Sequence, residues 1–307
     1  MTDVLATGIR FALYADLLLL TGLAAFPLHA LRRAERQDLR VIEAVMAPQR
    51  WLALLGLIVS LIGIAQLTAS MQGVALLAID PAMLAAVIRE TDVGTAWLVR
   101  MAALGAALAA AAHLGKRPMT AASTIVIAGS TALATLMWAG HAGASEGLTG
   151  SIHRISDTFH MVAAAVWIGA IGAFLILLRP RYGIVSVSPA MVARSLERFA
   201  HVGTVCVLVI AATGLINTQI IIGLNNVDRA IDAPYGQLLT VKLLFFALML
   251  ALAAANRWRL TPVLADECVD PAAARRAIQR SLTVEMLAAA VVLALVAWLG
   301  TLEPLPA

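Results

Sequence analysis

Three histidines and an aspartate lie close together in the chain and have side chains that can bind a metal ion. They are His141, His153, Asp157 and His160, and they include half of the six histidines in the 307-residue sequence. His153, Asp157 and His160 are spaced i, i+4, i+7, which places them on one face of a helix. Imidazole suits copper, zinc and iron, and a carboxylate either binds the metal or orients an imidazole. The pattern predicts a metal site.

Met137 is the fifth candidate ligand, because it precedes His141 by four residues and shares its helix face. A thioether adds a preference for Cu(I), but the spacing does not distinguish copper from zinc. The connection after His141 contains three glycines and can make a tight return, so that the two faces converge. The alternative is that these polar residues only face water or lipid headgroups at a membrane surface.

The composition indicates a membrane protein. Apolar residues make up 61% of the chain, charged residues 13%, and the mean hydropathy is +0.90. A membrane-spanning helix needs roughly 20 mainly apolar residues. We therefore predict an all-α, polytopic membrane helix bundle, one integral membrane domain over residues 1–307. Its eight expected spans cover residues 8–28, 51–71, 95–113, 121–141, 153–178, 199–222, 238–255 and 282–301.

The basic residues predict the orientation in the membrane. Most of them lie in every second connection between spans, so they share one side of the membrane. These connections are 31–50, the turn with Lys116 and Arg117, 179–198 and 256–280. By the positive-inside rule that side is cytoplasmic. We expect an inner-membrane protein with both termini in the periplasm and the histidine group on the periplasmic side. This topology explains the basic pI of about 9.6, so we expect the lipid bilayer and no nucleic acid as a partner.

A weak internal similarity suggests a four-plus-four parallel repeat. The third and seventh spans both begin with a glycine followed six residues later by a cation, at Arg100 and Lys242. Four spans separate the copies, so two such halves, residues 1–141 and 153–307, have the same orientation. The first and fifth spans share a glycine-to-phenylalanine stretch, at 22–26 and 169–174.

Five ionisable residues lie within or at the ends of the expected spans, where they are costly and often functional. We expect them to line a polar path or to form pairs. Arg100 and Lys242 could pair with Asp16 or Asp157, and His201 with Glu285. The cations have an alternative, because long basic side chains can extend towards the membrane surface. The five residues are Asp16, Arg100, Lys242, His201 and Glu285.

The fifth span resembles the CopD/PcoD family of copper-resistance membrane proteins. Asp157, His160, Trp167 and Gly169 reproduce its D-x-x-H…W-x-G segment, and the resemblance extends from about residue 153 to residue 304. It rests further on Arg198, Phe199, Thr213, Gly214, Tyr235, Gly236, Lys242, Asn256, Arg257, Pro262 and Glu285. The resemblance implies copper homeostasis, commonly uptake from the periplasm together with a small periplasmic copper carrier. It also implies that His153, Asp157 and His160 contact copper.

The expected function is a copper permease rather than an enzyme. The sequence has no GxxxxGK[ST] phosphate loop, so transport driven by ATP in this chain is not expected. One alternative is a b-type haem electron-transfer protein, although two histidines on one helix cannot bind opposite faces of one haem. Another is a copper-sensing subunit that does not transport. The oxidation state, Cu(I) or Cu(II), stays open, as do the transport direction, the coupling ion and the oligomeric state.

Overall fold

The computed structural model describes residues 2–139, 147–179, 188–226, 233–265 and 270–303. Their regular structure is helical throughout, and eight of their helical stretches are long and apolar enough to cross a membrane. The predicted all-α, polytopic bundle is therefore confirmed. His141 and Cys268 lie outside the described residues.

Eleven α-helices occur within these ranges. A 3₁₀ segment, Thr135–Ala139, extends α6, and a π-helical segment, Asn256–Leu260, joins α9 to α10. The helices are α1 Thr2–His29, α2 Leu39–Met46, α3 Gln49–Gln72, α4 Pro81–Glu90, α5 Asp92–Ala112, α6 Pro118–Ala134, α7 Gly147–Leu178, α8 Pro189–Ile221, α9 Pro234–Ala255, α10 Thr261–Ala265 and α11 Pro271–Leu299.

Two helices begin well before the expected spans. Helix α8 begins ten residues earlier and α11 eleven residues earlier than the apolar runs indicate. In both, a side chain caps the first turn, since Ser188 accepts from the backbone of Met191 and Asp270 from that of Ala272. A proline follows each cap, and these signals start a helix whether or not its first turns are apolar.

The connections contain two short helices. Helix α4 begins after Asp80, whose side chain accepts a hydrogen bond from the backbone of Ala82. Helix α2 lies in the expected connection 31–50 and buries Ile42 and Met46 against the bundle. Its apolar residues are too few to span a membrane, and their burial explains why the connection is ordered.

Helix α1 forms the centre of the bundle. It packs against α3, α6, α7 and α11, and Leu17, Leu18 and Phe26 on it are fully buried. A helix that is apolar around most of its surface can be surrounded by other helices, although α1 also buries the carboxylate of Asp16. Helices α8 and α9 are mostly exposed, which suits helices that face lipid.

Helices α1 and α7 cross at a pair of glycines. A Cβ atom on Gly22 would lie 1.8 Å from the carbonyl oxygen of Ala165, and one on Gly169 would lie 2.1 Å from the carbonyl carbon of Gly22. One turn further, the rings of Phe26 and Phe174 meet edge to face at 5.0 Å. Small residues allow this backbone approach, which increases van der Waals contact between helices in a membrane.

The helix contacts can be compared with the predicted four-plus-four organisation. The glycine-to-phenylalanine stretches compared in the sequence meet each other between α1 and α7, as expected on the axis of a parallel repeat. Helix α1 also packs against α11, and its counterpart α7 packs against α6. One difference is that α3 packs closely against α5, whereas α8 and α9 have little contact. That residues 1–141 and 153–307 are duplicated copies stays a prediction.

The two ends of the bundle are named here by their residues. The histidine end is the end at which α7 begins, and the basic end is the end at which α1 terminates, near Arg32 and Arg33. The predicted orientation places the histidine end in the periplasm.

Cysteine labelling tests this orientation. Leu77 is fully exposed between α3 and α4 at the histidine end, and Arg33 is exposed at the basic end. In a variant with both native cysteines replaced by serine, Leu77→Cys should react with an impermeant thiol reagent in spheroplasts. Arg33→Cys should react only after lysis. The opposite labelling pattern would place the histidine group in the cytoplasm.

Candidate metal centre

The three predicted residues of α7 lie on one face at the histidine end. His153 is 1% exposed, and its Nε2 lies 3.6 Å from Oδ2 of Asp157, one turn further along the helix. The Asp157 side chain is 28% exposed, so its carboxylate remains partly accessible. His160, a further turn into the membrane, is partly buried. The predicted common face is therefore present.

Helix α8 supplies the polar partners of this face. The side-chain amide of Asn217 donates to Oδ1 of Asp157, and the Ser156 hydroxyl donates to the backbone carbonyl of Thr213. The carbonyl oxygen of the Asn217 side chain is buried and has no hydrogen-bond partner among the described residues. Beside Asp157, this oxygen is a second acceptor that is able to contact a cation.

The hydroxyl of Thr213 contacts the imidazole of His160. The Thr213 hydroxyl has one proton, which it donates to the backbone carbonyls of Val209, at 2.6 Å, or Ile210, at 3.3 Å. With that proton on either carbonyl, the imidazole donates the hydrogen bond across the 2.9 Å between its Nδ1 and this hydroxyl. Nε2 of the neutral ring keeps its lone pair. A second group that holds one ring nitrogen protonated is the usual way to prepare the other for a metal.

Three residues from two other helices lie close enough to Asp157 to interact with it electrostatically. They are Tyr14 of α1, and Tyr235 and Lys242 of α9; Lys242 also acts on His160. Sequence reasoning placed Lys242 in a polar path, named Tyr235 only through the resemblance, and missed Tyr14. Polar aromatic residues within apolar spans were the available signal, since the chain has only three tyrosines.

The two other predicted ligands are His141 and Met137. His141 lies outside the described residues, and Met137 is buried in the main hydrophobic core. Among the described residues no three histidine, cysteine, aspartate or glutamate side chains converge as a metal-holding group. His153 and Asp157 form the close pair, and the hydrogen bond to Thr213 holds His160 beside it.

The structure does not show the expected pairing of Asp16 with Arg100. Arg100 is buried, which also excludes extension to the membrane surface, and it donates to the hydroxyls of Ser60, at 3.1 Å, and Thr135, at 3.4 Å. Both carboxylate oxygens of Asp16 are buried without a hydrogen-bond partner among the described residues, and one lies against Gly56. Hydroxyl groups of α3 and α6 therefore take the place that the carboxylate was expected to occupy.

The structure also does not join His201 to Glu285. His201 is exposed on α8, whereas Glu285 is 1% exposed inside the bundle. Glu285 accepts hydrogen bonds from Nε1 of Trp167, at 2.9 Å, and from the side-chain amide of Asn256, at 3.1 Å. The expected pair is corrected, because an indole and an amide satisfy this carboxylate.

Comparison with known proteins gives two family matches. Residues 1–151 match the family described as copper resistance protein D-like, N-terminal domain, and residues 193–299 match the family described as copper resistance protein D. The chain is 40% identical to "Copper resistance protein D" of Pseudomonas syringae pv. tomato over 99% of this chain and 98% of the relative.

Two further relatives match over shorter stretches. The "Inner membrane protein YebZ" of Escherichia coli (strain K12) is 30% identical over 61% of this chain and 58% of its own length. The "Copper transport protein CutJ" of Bacillus subtilis (strain 168) is 32% identical over 38% of this chain and 20% of its own length. No solved structure shows a significant match.

Proposed function

Because the chain belongs to the copper resistance protein D family, we propose that it is a copper permease that moves copper from the periplasm towards the cytoplasm. The family assignment and the apolar helices identify a multi-pass inner-membrane protein of copper resistance. The observation that supports transport is the polar face of α7, where His153, Asp157 and His160 begin at one end of the bundle and continue into it.

The proposed entry site uses nitrogen and oxygen ligands. His160 would contribute Nε2, whose lone pair the hydrogen bond to Thr213 preserves, while His153 and Asp157 would contribute the adjacent imidazole and carboxylate. Imidazole binds copper well, and a carboxylate adds charge compensation. His141 and Met137 remain candidate ligands from the preceding connection, and a thioether would favour Cu(I).

Lys242 is proposed to compensate the charge of Asp157 when copper is absent. Its ammonium group interacts electrostatically with both Asp157 and His160. A carboxylate in an apolar bundle is costly without a positive neighbour. Copper entering the site would take over this role, and Lys242 would then lower the affinity enough to let the ion leave.

We propose that the protein has no enzymatic activity. We also propose that a small periplasmic copper carrier delivers the metal. A carrier must reach the site from the periplasm, so this part of the proposal depends on the predicted orientation. The Asp157 side chain is the partly accessible member of the close pair and is where delivery would begin.

Uptake by proteoliposomes tests the proposed function. Liposomes containing the purified protein should accumulate copper faster than empty liposomes, and Cu(I) and Cu(II) should be compared with and without a reductant. Copper binding without uptake would favour the sensing subunit. An intense Soret band in the purified protein, with no copper uptake, would favour haem electron transfer.

Replacing Thr213 by valine should weaken copper binding about 10–100-fold, the effect typical of losing a group that orients a metal-binding histidine. Valine keeps the shape but cannot accept the proton of Nδ1, so the other tautomer of His160 becomes accessible. Thr213→Ser should bind as the wild type does. Thr218→Val is the matched control, because the Thr218 hydroxyl bonds only within α8, to the carbonyl of Gly214. Equal losses in the two valine variants would contradict the role of Thr213.

A further inference from the structure

The polar face of α7 continues into the membrane beyond the proposed entry site. Trp167 follows His160 by seven residues, as His160 follows His153, so all three lie on one side of the helix. Seven residues correspond to a rise of about 10 Å. At this depth the indole N–H of Trp167 donates to Glu285 of α11. The face that carries the proposed copper ligands therefore leads to a buried carboxylate.

Both oxygens of Glu285 are hydrogen-bonded, and no positive charge faces them from the part of the chain that the structure describes. Oε1 accepts from Trp167, and Oε2 accepts from Asn256 in the π-helical segment. Helix α11 packs against α1, α7, α9, α10 and the π-helical segment. The titratable residues of these elements, as far as the structure describes them, do not interact with Glu285; its neighbours are Trp167 and Asn256. They are Arg10, Tyr14, Asp16 and His29 on α1, His153, Arg154, Asp157 and His160 on α7, Tyr235 and Lys242 on α9, and Arg257 and Arg259 in the π-helical segment.

The π-helical segment gives this carboxylate a polar connection towards the basic end. The side-chain carbonyl oxygen of Asn256 is buried and has no hydrogen-bond partner among the described residues. It can therefore accept a hydrogen bond from a proton donor. The hydroxyl of Thr261 bonds to the backbone carbonyl of Asn256, and the next residue, Arg257, is exposed and donates to Thr204. π-Helical turns inside helices occur frequently at functional sites.

We infer that Glu285 is a proton-binding site through which the protein exchanges one proton for each copper ion that it moves inward. The inference rests on the proposed permease function. A buried carboxylate without a fixed cation needs one positive charge, which a proton or a passing metal ion can supply, but not both at once. A copper ion arriving along the α7 face would displace the proton from the Glu285 oxygen, and the proton would leave in the opposite direction to the metal.

A proton fits Glu285 better than a bound copper ion does. Two N–H donors already occupy its oxygens, and the arrangement lacks the imidazole or sulfur ligands that copper prefers. The carboxylate is therefore a coupling site and not a second storage site.

The test uses proteoliposomes that enclose a pH-sensitive dye. Copper entry through the wild-type protein should make the lumen more alkaline, because protons leave as copper enters. Glu285→Gln, which resembles the protonated carboxyl in shape, should abolish the pH change, and Glu285→Asp should restore at least part of it. Copper binding by detergent-solubilised Glu285→Gln should match that of the wild type, which shows that the entry site is intact.

The outcomes separate this inference from the proposed function. Copper uptake by the wild-type protein without any change in luminal pH would overturn the proton exchange and leave the permease standing. Absence of copper uptake would overturn both. A pH change that Glu285→Gln leaves intact would assign the proton to another group.

Trp167→Phe is the second variant, because it removes the N–H donor while keeping a ring against Phe246, 6.0 Å away. An ionised carboxylate that loses a donor holds its proton to higher pH, so the pH at which exchange is half-maximal should rise. Trp298→Phe, on the exposed side of α11, is the matched control and should leave this pH unchanged. If exchange is half-maximal at the same pH in both variants, the role of Trp167 at Glu285 is contradicted.

Discussion

Replacing Gly22 by alanine should unfold much of the bundle at temperatures at which the wild-type protein is stable. The new Cβ atom would lie 1.8 Å from the carbonyl oxygen of Ala165, which is rigid backbone and cannot rotate away. Helices α1 and α7 would have to separate, and their separation would open the core around Phe26 and Phe174. Overpacking by side chains costs about 1–3 kcal/mol, so a clash with backbone should cost about 3 kcal/mol or more.

Thermal unfolding of detergent-solubilised protein measures this effect. Gly8→Ala is the matched control on the same helix, because nothing lies within 4 Å of its new Cβ atom. It should be neutral or slightly stabilising, since alanine is the better helix former. Gly169→Ala should lower the midpoint temperature of unfolding as Gly22→Ala does. The double variant should lower it by less than the sum of the two single decreases, because one widened crossing accommodates both methyl groups. Equal midpoints for Gly22→Ala and Gly8→Ala would contradict the close crossing.

The apolar runs were sufficient to predict the eight spans but not their ends. A long run of leucine, alanine and valine has one stable form in lipid, because a helix satisfies its own backbone. The ends depend instead on local capping and on contacts beyond the apolar run. The caps at Ser188 and Asp270 start α8 and α11 before their apolar runs. Helix α2 forms because Ile42 and Met46 pack against the bundle and are buried there.

Periodicity predicted the part of the site that one helix supplies. His153, Asp157 and His160 share a face because their spacing follows the helical repeat, and the structure retains that face. Their partners come from α8, α1 and α9, and no spacing within a single sequence predicts which residues of separate helices meet. Thr213 was found only through the resemblance, and Tyr14 was not found.

The corrected pairs show a similar limit. Asp16 and Arg100 have opposite charge and comparable depth, which made an ion pair a reasonable prediction, yet hydroxyl groups of Ser60 and Thr135 bind the guanidinium. Arginine has five donors and accepts several neutral partners, so opposite charge alone does not select its neighbour. Glu285 likewise has Trp167 and Asn256 as donors.

The double variant His153→Ala/His160→Ala should lose copper affinity more than about 100-fold. Losing a group that only orients a ligand typically costs 10–100-fold, and this variant removes two proposed ligands from one face. Asp157 would keep its hydrogen bond from Asn217, so the outer ends of α7 and α8 should stay together. The measurement is the copper content of the purified protein, in both oxidation states, followed by the rate of copper uptake into proteoliposomes.

The matched control is His113→Ala/His201→Ala, which removes the same number of histidines at the basic end. Both side chains are exposed, and the His113 ring contacts the carbonyl of Ala109 at the end of α5. This control should bind and transport copper as the wild type does. If the two double variants bind equal amounts of copper, the metal enters elsewhere and the face of α7 is structural. If the α7 variant binds normally but no longer transports, these histidines act on the path of the ion and not in its capture.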